Sequence, residues 1–409
     1  MSKGTANRDG MRGYEKVLVS FREDAGQSML QEHAKTFVSY VALLPPLHGT
    51  RVQSFKSFVG QAMALRAPPT TESRIKVFPH LGLAIAVVNR QGMIALSRDP
   101  SIKSVNKAPE VSLLRPVASK LSAPPPHAAW GIDKLRVTEL WDKGIRGDGV
   151  IVGHLDTGVD ASHECLRNKV VKFAEWNLNG DRVAKAKPYD SDTHGTHTAG
   201  TIVGGSKKSA IGVAPGAKLA SALVLDGGEV LDRILGGLEW MAGLKVAIVN
   251  ASLGIPGYTP AFHVLIDALR RNGILPVIAI GNDGSGTNRS PGNYSNVLSV
   301  GAMNSSNQVA DFSGDGRCRP DGDLLPDLVA PGVDIVSAAP RGRFATGSGT
   351  SMAAPHVAGV AALLKQAKPS ASAIDIEKAI LMSCVRPASM PQGRANRGVP
   401  DAIRALSYL

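Results

Sequence analysis

Cysteine is scarce in this chain: three in 409 residues, at Cys165, Cys318 and Cys384. The number is odd and the spacings match no metal-ligand pattern, so free thiols are expected rather than a disulfide framework. Aromatic residues make up only 5%. No uninterrupted apolar run reaches the roughly 20 residues that a membrane-spanning helix needs, so no membrane partner is expected. The N-terminal stretch MSKGTANRDGMRGYEK is basic but has no apolar segment behind it, which is not the pattern of a secretory signal. A cytoplasmic protein is expected, or a secreted one if its export sequence is missing from this chain. Internal repeats and low-complexity tracts are also lacking.

The chain does have enough apolar material for a sizeable core, with 43% hydrophobic and 20% charged residues in the proportions of a globular protein. The formal net charge is +12, of which +9 falls within residues 1–125. A basic surplus can serve nucleic acid. Here it lies in one N-terminal part with little aromatic interleaving, so a solvated basic surface, or docking onto an acidic face, is expected and no nucleic-acid partner.

Four regions follow from the patterning. Residues 1–13 are expected to be disordered. Residues 14–108 mix short strands (YEKVLVSF, IKVFPHLGLAIAVV) with a helical pattern at 28–44, which suggests a small α+β domain. Residues 109–128 contain three consecutive prolines and no clear period, which reads as an exposed linker. From 129 to 409 apolar strands such as GVIVGHL, KLASALVL, VAIVNAS and ILPVIAI alternate with helical patterns. The expected fold is α/β, a doubly wound and mostly parallel sheet with helices on both faces. In such sheets functional groups gather beyond the carboxyl ends of the strands.

Several fragments of this second region could carry chemistry, and each has a plain alternative. Asp156-Thr157-Gly158 follows a strand directly; Asp and Gly are also ordinary turn residues. The segment SDTHGTHTAGTI places His194 and His197 three apart, without the acidic residue and i,i+4 spacing of a zinc helix, so a capped core helix serves equally well. Gly281-Asn282 ends a buried strand, where Asn is a turn residue or a donor to a ligand. GSGTSMAAPHVAG holds Ser351 ahead of an apolar helical run, where serine is a favoured helix N-cap.

The four fragments in this order are less ambiguous. Asp-Thr-Gly, His-Gly-Thr-His, strand-Gly-Asn and Gly-Thr-Ser-Met-Ala together resemble the subtilisin-like serine proteases, over nearly all of residues 129–385. The Asp, His, Ser chain order is that family's own. The resemblance implies a serine endopeptidase with Asp156, His194 and Ser351 as its triad and Asn282 in the oxyanion hole. It also implies that Ser252, Leu253 and Gly254 pair with an extended substrate, and that Gly281 lines the substrate site. His197 and His356 are then structural. The N-terminal region resembles the family's ferredoxin-like propeptide, most closely in GLAIAVVNRQGMIALSRDPSIKSVNKA. This implies a zymogen, with its own N-terminal domain as intramolecular inhibitor and self-cleavage within 109–128. Protein or peptide substrates are the partners expected.

Two departures from the family pattern matter. Where many relatives build a calcium site, this chain has Cys165 and the loop GGSKKSA at 204–210. A thiol and two lysines are poor surroundings for a cation that wants hard oxygens, so that calcium site is expected to be absent and no cofactor is expected. Anchoring on Pro291-Gly292 places Arg289 at the base of the family's primary specificity pocket. A guanidinium there would favour an acidic residue before the scissile bond, with a solvent-facing loop arginine as the plain alternative, and Glu110 is the one acidic residue between Asp99 and Asp133, so the first reading expects self-processing after Glu110. An esterase is the alternative within hydrolases, disfavoured because GTSMA lacks the second glycine of the nucleophile elbow and Asp and His precede Ser. A catalytically dead scaffold is the alternative outside them, disfavoured by the intact set of Asp156, His194, Asn282 and Ser351.

Overall fold

The computed structural model describes residues 14–22, 75–100, 102–125, 128–205, 210–318 and 321–409. The disorder expected for 1–13 and the helix expected at 28–44 lie outside the described residues. The chain divides into two compact units, Met1–Pro109 and Glu110–Leu409.

In the first unit β1 (Tyr14–Phe21), β2 (Ile75–Phe78), β3 (Leu83–Asn89) and β4 (Ile102–Lys107) form an antiparallel sheet in the order β2-β3-β1-β4. A helix, Arg90–Arg98, joins β3 to β4. Val17, Val19 and Phe21 alternate along β1 and are buried with Ala84, Ala86, Val88, Leu96 and Ile102. That period of two puts one face of the sheet into a core. The unit is α+β, as its strand patterning implies.

The second unit is built on seven strands: β7 (Ile151–Asp156), β8 (Val170–Glu175), β9 (Lys218–Leu223), β10 (Ile248–Ala251), β12 (Leu275–Ala279), β14 (Leu298–Met303) and β17 (Leu328–Pro331). They lie in the order β17-β14-β12-β10-β7-β9-β8, with parallel pairing throughout. The remaining strands are short and peripheral: β5 (Ser112–Leu113), β6 (Ala118–Ser122), β11 (Leu253–Pro256), β13 (Arg289–Ser290), β15 (Gly316–Arg317), β16 (Leu324–Leu325), β18 (Ile335–Ala339) and β19 (Arg343–Ser348). After β7 the chain builds β8 and β9 on one side of it, then crosses to β10 on the other. That reversal makes the carboxyl end of β7 the switch point, where the crevice of an open parallel sheet forms.

One helix, Thr350–Ala367, is buried from Thr350 to Leu364 without a break. Its Ala and Gly positions let it press close to its neighbours: a side chain at Gly359 would strike Val213. Each fully buried Leu or Val in that run contributes about 1.5–3 kcal/mol by leaving water. The N-terminus of this helix is thereby fixed against the carboxyl ends of the sheet strands.

The segment expected as a linker is not free of structure. β5 pairs antiparallel with β11, and β6 pairs antiparallel with β19, so 112–122 is a strap of the second unit held against its remainder at two places. The sequence hid this because its two halves pair with different strands, through backbone groups that carry no side-chain period.

Candidate active site

Asp156 is the last residue of β7 and is fully buried. The following Gly158 has φ +110° and its α-carbon lies close under the Tyr189 carbonyl, a backbone state that a side chain would forbid. The chain therefore turns away sharply and leaves the carboxylate facing the helix His194–Val203. His194, the first residue of that helix, places Nδ1 2.7 Å from Asp156 Oδ1. The Thr157 backbone N–H donates to the same oxygen at 2.7 Å, and Thr198 Oγ1 donates to Oδ2 at 3.0 Å.

Burial alone would push the Asp156 carboxyl up, but the charge and hydrogen bond of His194, with His154 and the Thr157 N–H, hold it below the usual carboxylate range. His194 moves the other way. Burial opposes its protonation, and Asp156, with Asp190 and Asp192 at longer range, outweighs burial and raises it. The two directions agree: this pair favours imidazolium beside carboxylate.

Ser351 is the second residue of the helix Thr350–Ala367 and is fully buried. Its Oγ donates to the Leu114 carbonyl at 2.7 Å. His194 Nε2 is buried with no hydrogen-bond partner among the described residues, so the imidazole and the serine are both at the site and not bonded to each other. Asn282 follows Gly281 at the end of β12's strand run. Its Oδ1 accepts from the backbone N–H and the hydroxyl of Thr350, each at 2.8 Å. This turns Nδ2 toward the strap, where it donates to the Arg115 carbonyl at 2.9 Å.

The strap crosses the site as an extended chain. Leu253 pairs with Leu113 and Gly254 with Ser112, and the Leu114 N–H donates to the Ser252 carbonyl at 3.1 Å. Beyond the serine the Val117 N–H donates to the Ser348 carbonyl at 2.8 Å, and β6 begins. Two phases result. The pairing with β11 brings the Leu114 carbonyl to Ser351, whereas Asn282 addresses the chain one residue later, at Arg115, and β19 takes it up from Val117. The Arg115 guanidinium reaches the Asp192 carboxylate at 2.8 Å in an exposed contact. Glu110, the expected processing residue, is exposed and four residues short of Ser351's partner.

Arg289 lies beside Gly254 and Gly281. A side chain at Gly254 or Gly281 would meet its Cβ or Cγ, so its stem fills the space between these two backbone walls. Its guanidinium is not free: Nε and a terminal nitrogen bind the two Asp283 oxygens at 2.6 and 2.9 Å. His197 and His356 lie inside their helices, with Nε2 of one on the Ile335 carbonyl and Nδ1 of the other on the Met352 carbonyl. Burial brings both down to about 4. Cys165 is fully buried, residues 206–209 of the 204–210 loop lie outside the described residues, and no group of three or more His, Cys, Asp or Glu among the described residues could hold a metal.

Several contributors escaped sequence reading. Thr350 orients Asn282; Thr198 binds Asp156; Asp190 takes the Thr157 hydroxyl at 2.7 Å and the Thr196 N–H and hydroxyl at 2.6 Å each. A signal for Asp190 existed in the acidic pair of YDSDTHGTH. None marked the threonines, which read as small residues of a buried helix.

The subtilase family model matches residues 147–401. Subtilisin E of Bacillus subtilis (strain 168) is 34% identical over 306 residues, 72% of this chain and 73% of the relative. An intracellular serine protease of Paenibacillus polymyxa is 36% identical over 276 residues, 65% of this chain and 81% of the relative. Among solved structures, fervidolysin from Fervidobacterium pennivorans superposes with a TM-score of 0.71 at 23% identity. That match covers 96% of this chain and 61% of fervidolysin, so this chain spans about three fifths of it. With the parallel sheet and the order of its site residues in place, the chain belongs to the subtilase family and is a subtilisin-like serine peptidase, a hydrolase of peptide bonds.

Proposed function

We propose that this subtilase is an endopeptidase made in a self-inhibited form, with Ser351 as nucleophile, His194 as general base and then acid, and Asp156 as the group that orients the imidazole. A serine hydroxyl is a weak nucleophile near neutral pH and needs a base within hydrogen-bond reach. The carboxylate on His194 Nδ1 leaves Nε2 free to take the hydroxyl proton and stabilises the imidazolium so formed. The Asn282 Nδ2 and the Ser351 backbone N–H are the donors for the developing oxyanion, with the positive end of the helix Thr350–Ala367 behind them. The observation that carries this reading is the Asp156–His194 contact of 2.7 Å beside a buried serine whose hydroxyl and neighbouring amide both address carbonyls of one extended chain.

Substrates are extended segments of protein or peptide, bound by adding a strand to Ser252–Gly254 as the strap does. The strap supports the zymogen reading, and the N-terminal unit is then the inhibitor-like part of the precursor. Attack needs one carbonyl to meet both Ser351 and Asn282. The strap offers Leu114 to one and Arg115 to the other, which is a bound but unproductive state. A slip by one residue on the primed side would bring the Leu114 carbonyl to Asn282 and the Leu114–Arg115 bond to the serine. Self-processing is therefore expected to give a mature chain beginning at Arg115. N-terminal sequencing checks this; a start at Val111 would restore Glu110 as the processing residue, and a start downstream of Ser122 would remove the strap from the reaction.

The pairing of Arg289 with Asp283 bears on specificity. With its charge balanced, Arg289 contributes a stem and a neutral ion pair to the pocket, and an apolar residue such as Leu114 before the scissile bond is the preference we propose. The preference for an acidic residue is kept by the position of Arg289 and needs the guanidinium to exchange Asp283 for a substrate carboxylate. Peptide-library profiling separates the two. Wild type should favour leucine-like residues, and Asp283→Asn should raise acidic residues at that position about tenfold, since a charge-assisted pair is freed for the substrate. An acidic preference already present in wild type and lost in Arg289→Gly would establish the second reading.

A further inference from the structure

Asp156 has a second histidine beside it. His154 lies two residues earlier on β7, on the same face of the sheet, and is fully buried. Its Nε2 is 2.8 Å from Thr198 Oγ1, its Nδ1 is 2.9 Å from Ser221 Oγ, and its Nε2 is 3.7 Å from Asp156 Oδ2. The threonine hydroxyl thus sits between the imidazole and the carboxylate.

Proton counting decides the roles. A threonine hydroxyl has one proton to give. Given to Asp156 Oδ2, it leaves Oγ1 as acceptor toward His154, so His154 carries its proton on Nε2 and accepts from Ser221 on Nδ1. With the other tautomer, Thr198 would have to donate to Nε2 and abandon the carboxylate. Two further acceptors compete for that hydroxyl, the carbonyls of His194 and Gly195, both at 3.2 Å. Something must hold the rotor, and among the described residues His154 is the one partner of Oγ1 that can donate to it.

We infer that His154 is a positioning residue for the peptidase reaction: its Nε2–H fixes the Thr198 hydroxyl as a donor to Asp156, and so fixes the carboxylate that orients His194. The inference rests on the roles proposed above for Asp156 and His194. Burial keeps His154 neutral, with Asp156 opposing and His194 assisting. The other charged or titratable groups acting on this cluster are few. Asp190 and Asp192 act on His194 from the loop ahead of its helix. His197 lies on that helix and feels His194 and His356. Ser221 on β9 and Asn250, opposite His154 on β10, are uncharged.

The consequence has a definite sign. The carboxylate beside neutral imidazole carries a net charge of −1, and the Thr198 donor stabilises it more than it stabilises the neutral imidazolium–carboxylate pair. Losing the donor favours proton uptake by the pair, so the apparent pKa rises and the acid limb of activity moves to higher pH.

The test follows the fluorophosphonate labelling rate of Ser351 against pH in the full chain, normalised to the fraction finally labelled. His154→Val should move the acid limb up by roughly half to one pH unit and lower the plateau about tenfold. Thr198→Val should do the same, and the double variant should add nothing, since the two residues act as one unit. His154→Gln, whose amide can donate near the Nε2 position, should return the limb toward that of wild type. Histidine 15N spectra of the wild type give an independent reading and should show neutral His154 with its proton on Nε2. An acid limb that stays in place in both single variants overturns the inference, as does a protonated or Nδ1–H His154. If His154→Val fails to fold, Thr198→Val and the spectra decide. Absence of labelling in the wild type would count against the proposed role of Ser351, and the spectra would still judge His154.

Discussion

Ser351→Ala is expected to lower turnover of a peptide substrate by about 10⁶-fold, the size of loss measured for the equivalent change in subtilisin, a relative of this chain. The argument is local. The Ser351 hydroxyl lies 2.7 Å from the Leu114 carbonyl of the strap, within reach of a substrate-like carbonyl. Removing one oxygen from a helix start that is held by fifteen buried residues should leave the fold intact, because the Thr350 contacts to Asn282 survive. Residual hydrolysis would then reflect binding and the oxyanion donors alone. Fluorophosphonate labelling of the full chain measures the same point without a known substrate: the wild type should label at one site and the variant at none. Equal labelling of both would move the nucleophile elsewhere. A Ser351→Ala chain that is still cut within 109–128 would show that another enzyme makes that cut.

The parts of this molecule that sequence reveals are those where a side chain has a period or a motif. β7, β9, β10 and β12 were legible because each is a short, mainly apolar run set between helical patterns. The Asp156–His194 contact was legible because motif order fixes which side chains the switch point collects. The strap was not. Its hold on the site comes from the backbone of Ser112–Leu114 and Val117–Ser122, and backbone hydrogen bonds are the same for any residue but proline. Pro116, which reads as a linker residue, in fact stands where the chain passes from one pairing partner to the next without an N–H to give. Arg289 shows the opposite limit. Its pairing was not legible, because Asp283, six residues earlier, looks like any loop carboxylate until the guanidinium is seen to fold back onto it.

The strap leads to the second large effect. Unhooking it should raise the initial labelling rate of the unprocessed chain by about 10³-fold. As bound, it takes the Ser351 hydroxyl for the Leu114 carbonyl, takes Asn282 Nδ2 for the Arg115 carbonyl, and leaves His194 Nε2 without the serine, three contacts that are expected to hold activity down. A tethered segment acts at an effective concentration set by its short connection, so even modest contacts hold it in place. Leu114 is almost completely buried, worth about 2 kcal/mol, and each backbone bond of the strap adds about 1 kcal/mol. The double variant Leu114→Asp, Val117→Pro removes the buried leucine and the Val117 N–H bond to Ser348. With roughly 1 kcal/mol or more for placing a carboxylate in the apolar pocket of Leu114, the strap should weaken by about 4 kcal/mol in all, close to three decades at 1.4 kcal/mol each. Val117 is 56% exposed, so its loss costs the catalytic unit little packing. The contact of Arg115 with Asp192 is solvent-exposed and is expected to matter by no more than about 1 kcal/mol. Wild type should label after a lag that shortens with protein concentration, as processed molecules release others, while the variant labels at once to the same final fraction. Equal initial rates and no lag in the wild type would mean that the strap leaves the site spontaneously. The chain would then be active as made, and the crossing of 112–122 over Ser351 would be a resting contact without control over the enzyme.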